Sequence, residues 1–122
     1  MTARILTVDD SASVRMTTKI ALTNAGYNVT EAVDGADGLS KAKSDSFDLV
    51  VTDLNMPNMN GLEMIEELRK SPAHTGLPII FLTTESDGGL KTRAKAAGAT
   101  GWMTKPFDPE QLVKIVRKVL GK

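Results

Sequence analysis

Three short runs of branched apolar residues, at 4–8 (Arg4-Ile5-Leu6-Thr7-Val8), 48–52 (Asp48-Leu49-Val50-Val51-Thr52) and 78–82 (Pro78-Ile79-Ile80-Phe81-Leu82), are each closed by polar residues. Continuous apolar runs of this length predict strands buried on both faces. Residues 28–32 (Asn28-Val29-Thr30-Glu31-Ala32) alternate polar and apolar, and residues 100–103 (Thr100-Gly101-Trp102-Met103) are mixed, so these two predict half-covered edge strands.

Between the runs the hydrophobic period lengthens. Behind Asp108-Pro109, a cap and first turn, Leu112, Ile115, Val116, Val119 and Leu120 follow the i, i+3, i+4, i+7, i+8 pattern of a helix with one apolar face. Leu62, Ile65 and Leu68 predict a helix over 61–70, and Leu90, Ala94 and Ala97 one over 87–97, ended by Gly98. The stretches 11–25 and 35–45 are more polar. Ser11 or Ser13 can cap the first and Gly26 can end it, while Ala36, Leu39 and Ala42 give the second an apolar side, so both are read as helices. Asp87-Gly88-Gly89 softens the opening of the fourth helix, because Gly costs about 1 kcal/mol against Ala in a helix interior. Five strands alternating with five helices predict an α/β, doubly wound (βα)5 sandwich, a parallel sheet covered on both faces by right-handed crossovers.

Composition narrows the function. A chain of 122 residues is one domain, 1–122, with room for a buried core. Fifteen basic residues balance fifteen acidic ones, which removes the bulk electrostatic case for nucleic acid or an anionic membrane surface. Three Phe, one Trp and one Tyr are too few for a base-stacking platform, and the absence of Cys excludes disulfides and thiolate metal sites. The apolar runs fall far short of the roughly 20 residues needed to span a bilayer, and no signal-peptide core opens the chain, so a cytoplasmic location is expected. Asn28-Val29-Thr30 matches a glycosylation acceptor by chance on this reading.

Candidate chemistry gathers at one edge. Ligands of open α/β sheets bind outside the carboxyl ends of the strands. There the first run leads into Asp9-Asp10, the third strand into Asp53-Leu54-Asn55, the fourth into Thr83-Thr84 and the fifth into Thr104-Lys105-Pro106. Three clustered carboxylates repel one another, and a hard divalent cation resolves that repulsion; Mg²⁺ suits a half-built oxygen cage better than Ca²⁺, which takes more ligands. A Lys and a Thr beside it suit a phosphoryl group. Neither a Gly-x-Gly-x-x-Gly nor a Walker loop occurs, which argues against a nucleotide or flavin carrier.

The motifs Val8-Asp9-Asp10-Ser11, Asp53-Leu54-Asn55-Met56-Pro57-Asn58-Met59-Asn60-Gly61, Leu82-Thr83-Thr84-Glu85 and Lys105-Pro106-Phe107 stand in the order and spacing of a known family. Over its whole length the chain resembles receiver domains of bacterial two-component signalling, and most of all the stand-alone chemotaxis response regulators of CheY type. The resemblance implies a flavodoxin-like strand order 2-1-3-4-5. It makes Asp53 the acceptor of a phosphoryl group from a histidine kinase, in chemotaxis the CheA type. It has Asp10, Asp53 and the Asn55 backbone carbonyl hold Mg²⁺, with Asp9 acting through a metal-bound water. Thr83 and Lys105 would receive the phosphoryl oxygens, and Asn55 and Glu85 would tune dephosphorylation. The Lys105-Pro106 bond would be cis.

Trp102 stands where the family usually has a Tyr or Phe that turns inward with Thr83, so either a switch role or plain edge-strand cover is open to it. The family's output face offers Lys91, Lys95, Trp102 and Lys118, which could meet a flagellar motor switch protein or be merely solvated. Implied with this are a monomer that is no dedicated enzyme, a phosphatase as further partner, and no contact with nucleic acid or membrane. With no output segment recognised in the sequence, output is expected through surface binding biased by phosphorylation. A phosphate sink or phosphorelay intermediate is an alternative. A Mg²⁺-dependent phosphatase with an aspartyl nucleophile is a weaker one, since such enzymes usually carry a second Asp where this chain has Asn55.

Asp34, Asp37, Asp45, Asp48 and Asp87 read as caps, turn residues or solvated charge. His74, in the breaker-rich Ser71-Pro72-Ala73-His74-Thr75-Gly76, reads as a surface histidine, and the six Met as packing residues.

Overall fold

The computed structural model describes residues 2–54, 59–74, 76–83, 88–105 and 107–121. Strands β1 (Arg4–Val8), β2 (Asn28–Ala32), β3 (Leu49–Asp53), β4 (Ile79–Thr83) and β5 (Gly101–Thr104) alternate with helices α1 (Ala12–Asn24), α2 (Gly35–Ser44), α3 (Gly61–Arg69), α4 (Gly88–Ala96) and α5 (Pro109–Leu120). The strands form one sheet in the order β2-β1-β3-β4-β5, with every pair parallel. This is the flavodoxin-like order expected, with β2 and β5 at the edges.

Period-two alternation within the apolar runs divides the core into two layers. Leu6, Val8, Val50, Ile79 and Phe81 face α2, α3 and α4, where Ala42, Leu62, Met64, Ile65, Leu68 and Ala94 cover them. Ile5, Leu49, Val51, Ile80 and Leu82 face the other way, under Leu22 of α1 and Leu112 and Val116 of α5. Met64 is fully buried, as expected of a packing methionine, but Met16 is 62 % exposed on α1, so the packing reading fails there.

Three strands begin and end one residue later than the apolar runs predict. The ladder pairs Asp53 with Leu82 and Thr83 with Thr104, because backbone groups pair whatever side chain they carry. Asp48 is left outside, where its carboxylate accepts the Arg4 backbone N–H at 2.8 Å. This shift makes Asp53 the last residue of its strand, paired with Leu82 in the ladder.

The helix starts follow their caps. Ser11 Oγ accepts the Val14 N–H, Asp34 Oδ1 the Asp37 N–H, and Asp108 Oδ1 the Glu110 N–H. Asn60 and Glu63 form a reciprocal capping box on α3. Asp87 lies outside the described residues, and α4 opens at Gly88.

His74 ends a single 3-10 turn, Pro72–His74, and is half-buried. Its Nε2 lies 3.0 Å from the Ala42 carbonyl, which can only accept, so Nε2 carries the proton; Nδ1 lies 3.1 Å from Ser71 Oγ. The histidine expected at the surface is half-buried and fastens α2 to the turn after α3.

Candidate functional site

The carboxyl ends of β1 and β3 deliver Asp9 and Asp53, and the segment after β5 delivers Lys105. Asp9 is 3 % and Asp53 8 % exposed, while Asp10 is exposed. One carboxylate oxygen from each of the three aspartates can be chosen so that all lie within 4.8 Å of one another. Lys105 Nζ lies 2.8 Å from Asp9 Oδ2 and 3.3 Å from Asp53 Oδ2. The remaining oxygens meet backbone donors: Asp9 Oδ1 accepts the Ser11 N–H at 2.9 Å, and Asp53 Oδ1 the Leu54 N–H at 2.8 Å.

Electrostatics at this edge are unbalanced. Burial, then the charge of Asp9, pushes the Asp53 carboxyl above its ordinary value, against the opposing pull of Lys105 and the Leu54 N–H. For Lys105, burial by itself lowers the ammonium, but the hydrogen bond to Asp9 and the charges of Asp53 and Asp9 together outweigh it and raise the group. A cationic Lys105 therefore faces a carboxylate pair that it only partly neutralises.

Gly61 brings α3 against Asp53. A Cβ at Gly61 would stand 2.3 Å from the Asp53 carbonyl oxygen and 2.9 Å from the Phe81 ring, so only glycine fits this approach. The Phe81 ring in turn meets Trp102, with centroids 6.0 Å apart at 60°.

Comparison with known proteins gives this edge its context. The response regulator receiver domain family matches residues 5–117. This chain belongs to that family. Receiver domains are signalling modules that take a phosphoryl group from a histidine kinase onto an aspartate, and they bind Mg²⁺ in their acidic cleft. The receiver is similar to the chemotaxis response regulator CheY4 of Vibrio cholerae, with 43 % identity, a TM-score of 0.93 and coverage of 98 % of this chain and 99 % of that one. The receiver domain of a Pseudomonas aeruginosa sensor histidine kinase, with magnesium coordinated in its active-site cleft, is 26 % identical with a TM-score of 0.91, over the full length of both chains. Response regulator ArlR of Staphylococcus aureus is 38 % identical over 98 % of this chain. The receiver spans about half the length of such curated relatives, 53 % in that case.

The residues present fit a hard divalent cation. Three carboxylates supply oxygen donors only, and an ion among them would offset the burial and the repulsion by Asp9 that together raise Asp53. Among the sequence-predicted site residues, the structure brings together Asp9, Asp10, Asp53 and Lys105. Thr83 closes β4 opposite Thr104; its side chain and that of Lys91 are outside the described set. Asn55, Glu85 and Pro106, with the expected cis bond before it, lie outside the described residues.

On the expected output face, Lys95 and Trp102 line a cavity of about 300 Å³ with Ala99, Thr100 and Gly101. Lys118 is exposed on α5, outside that lining and on the helix that covers the other layer.

Arg15 escaped sequence reasoning. Its guanidinium donates to the Asp9 carbonyl at 2.6 Å and lies 3.8 Å from Glu31, so it braces the strand end that carries Asp9. The available signal was its position one turn after the Ser11 cap, where a helix turns its side chain back over the preceding loop.

Among the described residues, no helix is long and apolar enough to cross a membrane.

Proposed function

We propose that Asp53 is the phosphoryl acceptor of this receiver. A carboxylate oxygen attacks the phosphorus of a phosphohistidine on a sensor kinase; the N–P bond breaks as the O–P bond forms, and its electron pair stays on the imidazole nitrogen, which takes up a proton. Asp9, Asp10, Asp53 and the Asn55 backbone carbonyl would hold Mg²⁺, which when bound neutralises charge on the transferring group. Lys105 pairs with a phosphoryl oxygen and Thr83 donates a hydrogen bond to another. Asn55 and Glu85 would set how fast the phosphoryl group is lost. The observation that carries this reading is the half-neutralised carboxylate cluster: Asp53 is buried beside Asp9, with Lys105 within 3.3 Å.

The test is intact mass after acetyl phosphate, with and without Mg²⁺, for the wild type and Asp53→Asn. The wild type gains one phosphoryl group only when the metal is present, and the variant gains none. A phosphorylated variant, or a wild type that ignores the metal, overturns the assignment.

For output, we propose that phosphorylation repacks α4 and Trp102 and raises affinity for a flagellar motor switch protein through the face holding Lys91, Lys95, Trp102 and Lys118, with a CheA-type kinase as donor. The likeness to a chemotaxis regulator supports this. A phosphatase would be a further partner, and the single domain would act as a cytoplasmic monomer. The greater length of the curated relatives favours a second reading, in which the partner is something other than the motor. A phosphate sink or relay role makes the same prediction for the motor protein. Binding to it, measured with and without a beryllofluoride mimic, separates them: equal affinity in both states removes the motor reading.

A further inference from the structure

We propose that Gly35 is a positioning residue for the Mg²⁺ and phosphoryl site: by closing on the backbone of Met59, it holds the far end of the segment that runs on from Asp53. The inference rests on the acceptor reading given above.

Seven residues separate Asp53, the end of β3, from Gly61, the start of α3. The near end of that segment is fixed at Leu54. Its N–H reaches both the Leu82 carbonyl, at 3.2 Å, and Asp53 Oδ1, at 2.8 Å, while its own carbonyl accepts the Gly61 N–H at 2.9 Å. This last bond closes the segment at its base. The far end is fixed at Met59, whose carbonyl accepts the Gly35 N–H at 3.0 Å. Asn55, whose carbonyl is proposed as a metal ligand, lies between the two anchors.

Space rather than backbone conformation requires glycine at position 35, which is not among the glycines at positive φ. A Cβ there would stand 2.1 Å from the Met59 oxygen and 2.7 Å from its carbonyl carbon. Both are backbone atoms, so no side chain can rotate out of the way.

The helix cannot easily retreat either. Asp34 Oδ1 accepts the Asp37 N–H at 2.8 Å and Asp37 Oδ2 accepts the Val33 N–H at 3.0 Å at the start of α2, and from its last turn Lys41 Nζ donates to the Glu31 carbonyl of β2. A methyl group at position 35 therefore displaces Met59, and with it Asn60 and Gly61, which lies against the Asp53 carbonyl. Gly38, one turn further on, offers a matched contrast. A Cβ there would meet Val8 Cγ2 at 2.8 Å and Met64 Sδ at 2.9 Å, which are side-chain ends in the apolar layer.

The test compares Mg²⁺ affinity in the wild type, Gly35→Ala and Gly38→Ala, read from the rise of the unfolding midpoint with metal concentration. Gly35→Ala weakens binding about tenfold or more, as loss of an outer-shell support does, while Gly38→Ala lowers stability and holds affinity within about twofold. Equal affinity in Gly35→Ala and the wild type overturns the proposal, and so does an equal loss in Gly38→Ala. Should Gly35→Ala fail to fold, amide exchange in the wild type decides. Added Mg²⁺ slows exchange of the Gly35 N–H more than that of the Gly38 N–H, which donates to Asp34 at 2.9 Å; equal responses overturn the proposal. A wild type that binds no Mg²⁺ removes the acceptor reading together with this one, an outcome distinct from a wild type that binds and an alanine variant that binds equally well.

Discussion

At the amino end of the sheet, Asp45 accepts two hydrogen bonds from the Arg4 guanidinium, at 2.7 and 2.6 Å, and its carboxyl falls to about 2. At the carboxyl end, Asp53 shares one ammonium with Asp9, and burial drives its carboxyl upward. The same residue type is thus fully compensated at one end and under-compensated at the other. The amino end is also tied by hydrogen bonds: Arg69 donates to the His74 carbonyl at 2.7 Å and the Gly98 carbonyl at 2.8 Å, and His74 bridges Ala42 and Ser71. Charge that is fully paired fastens the fold, and charge left in deficit marks where a ligand enters.

Four measurements break or sharpen this contrast. Lys105→Met has the largest expected effect on stability: it strands two buried carboxylates without a counter-charge and costs about 3 kcal/mol in denaturant unfolding without Mg²⁺. A cost no larger than that of an exposed pair would show that the site edge is already solvated. Arg69→Met comes next. It removes two charge-assisted hydrogen bonds to carbonyls at the far end and costs about 2 kcal/mol, yet leaves phosphoryl transfer to Asp53 unchanged. If transfer also falls, the two ends are coupled and the contrast fails.

Asp53→Asn has the opposite sign. Because the fold raises this carboxyl, the charged form is disfavoured in the native state, so neutralising it stabilises the metal-free protein by about 1 kcal/mol. Urea midpoints without Mg²⁺ check this, and a destabilised variant would show that Lys105 already over-compensates the pair. The smallest effect belongs to Asp45. Its folded-state value is depressed, so the stability it supplies is present above the ordinary aspartate value of 3.8 and is lost as the pH falls through about 2. Thermal unfolding of Asp45→Asn against the wild type therefore converges as acid is added. The gap above pH 4 is small and shrinks with salt, since both partners are exposed.

Much of this molecule is written locally. The apolar runs at 4–8, 48–52 and 78–82, and the mixed stretches beside them, place central and edge strands, and the Asp34 and Asp108 caps are visible as residue types at helix starts. The carboxylates and the lysine were legible because each follows directly on a strand, and strand ends of a parallel sheet share one edge. Arg15 was not legible as part of the site, because its role depends on a helix turning one particular side chain back onto the Asp9 carbonyl. The Asn60 and Glu63 capping box is a local pattern that the hydrophobic period alone does not reveal.

By itself the sequence determined the apolar face of an element with a clear period, as in α5, since such a period is a property of the local chain. Tertiary structure alone decided which distant groups meet. The parallel register sets Asp53 opposite Leu82 and makes it the end of a strand; the packing of α2 on the β3–α3 segment sets Gly35 on Met59; the path of the chain after β5 brings Lys105 to Asp9, 96 residues away. Those approaches depend on the summed positions of whole elements, which no local period encodes, and the balance of charge at the site follows from them.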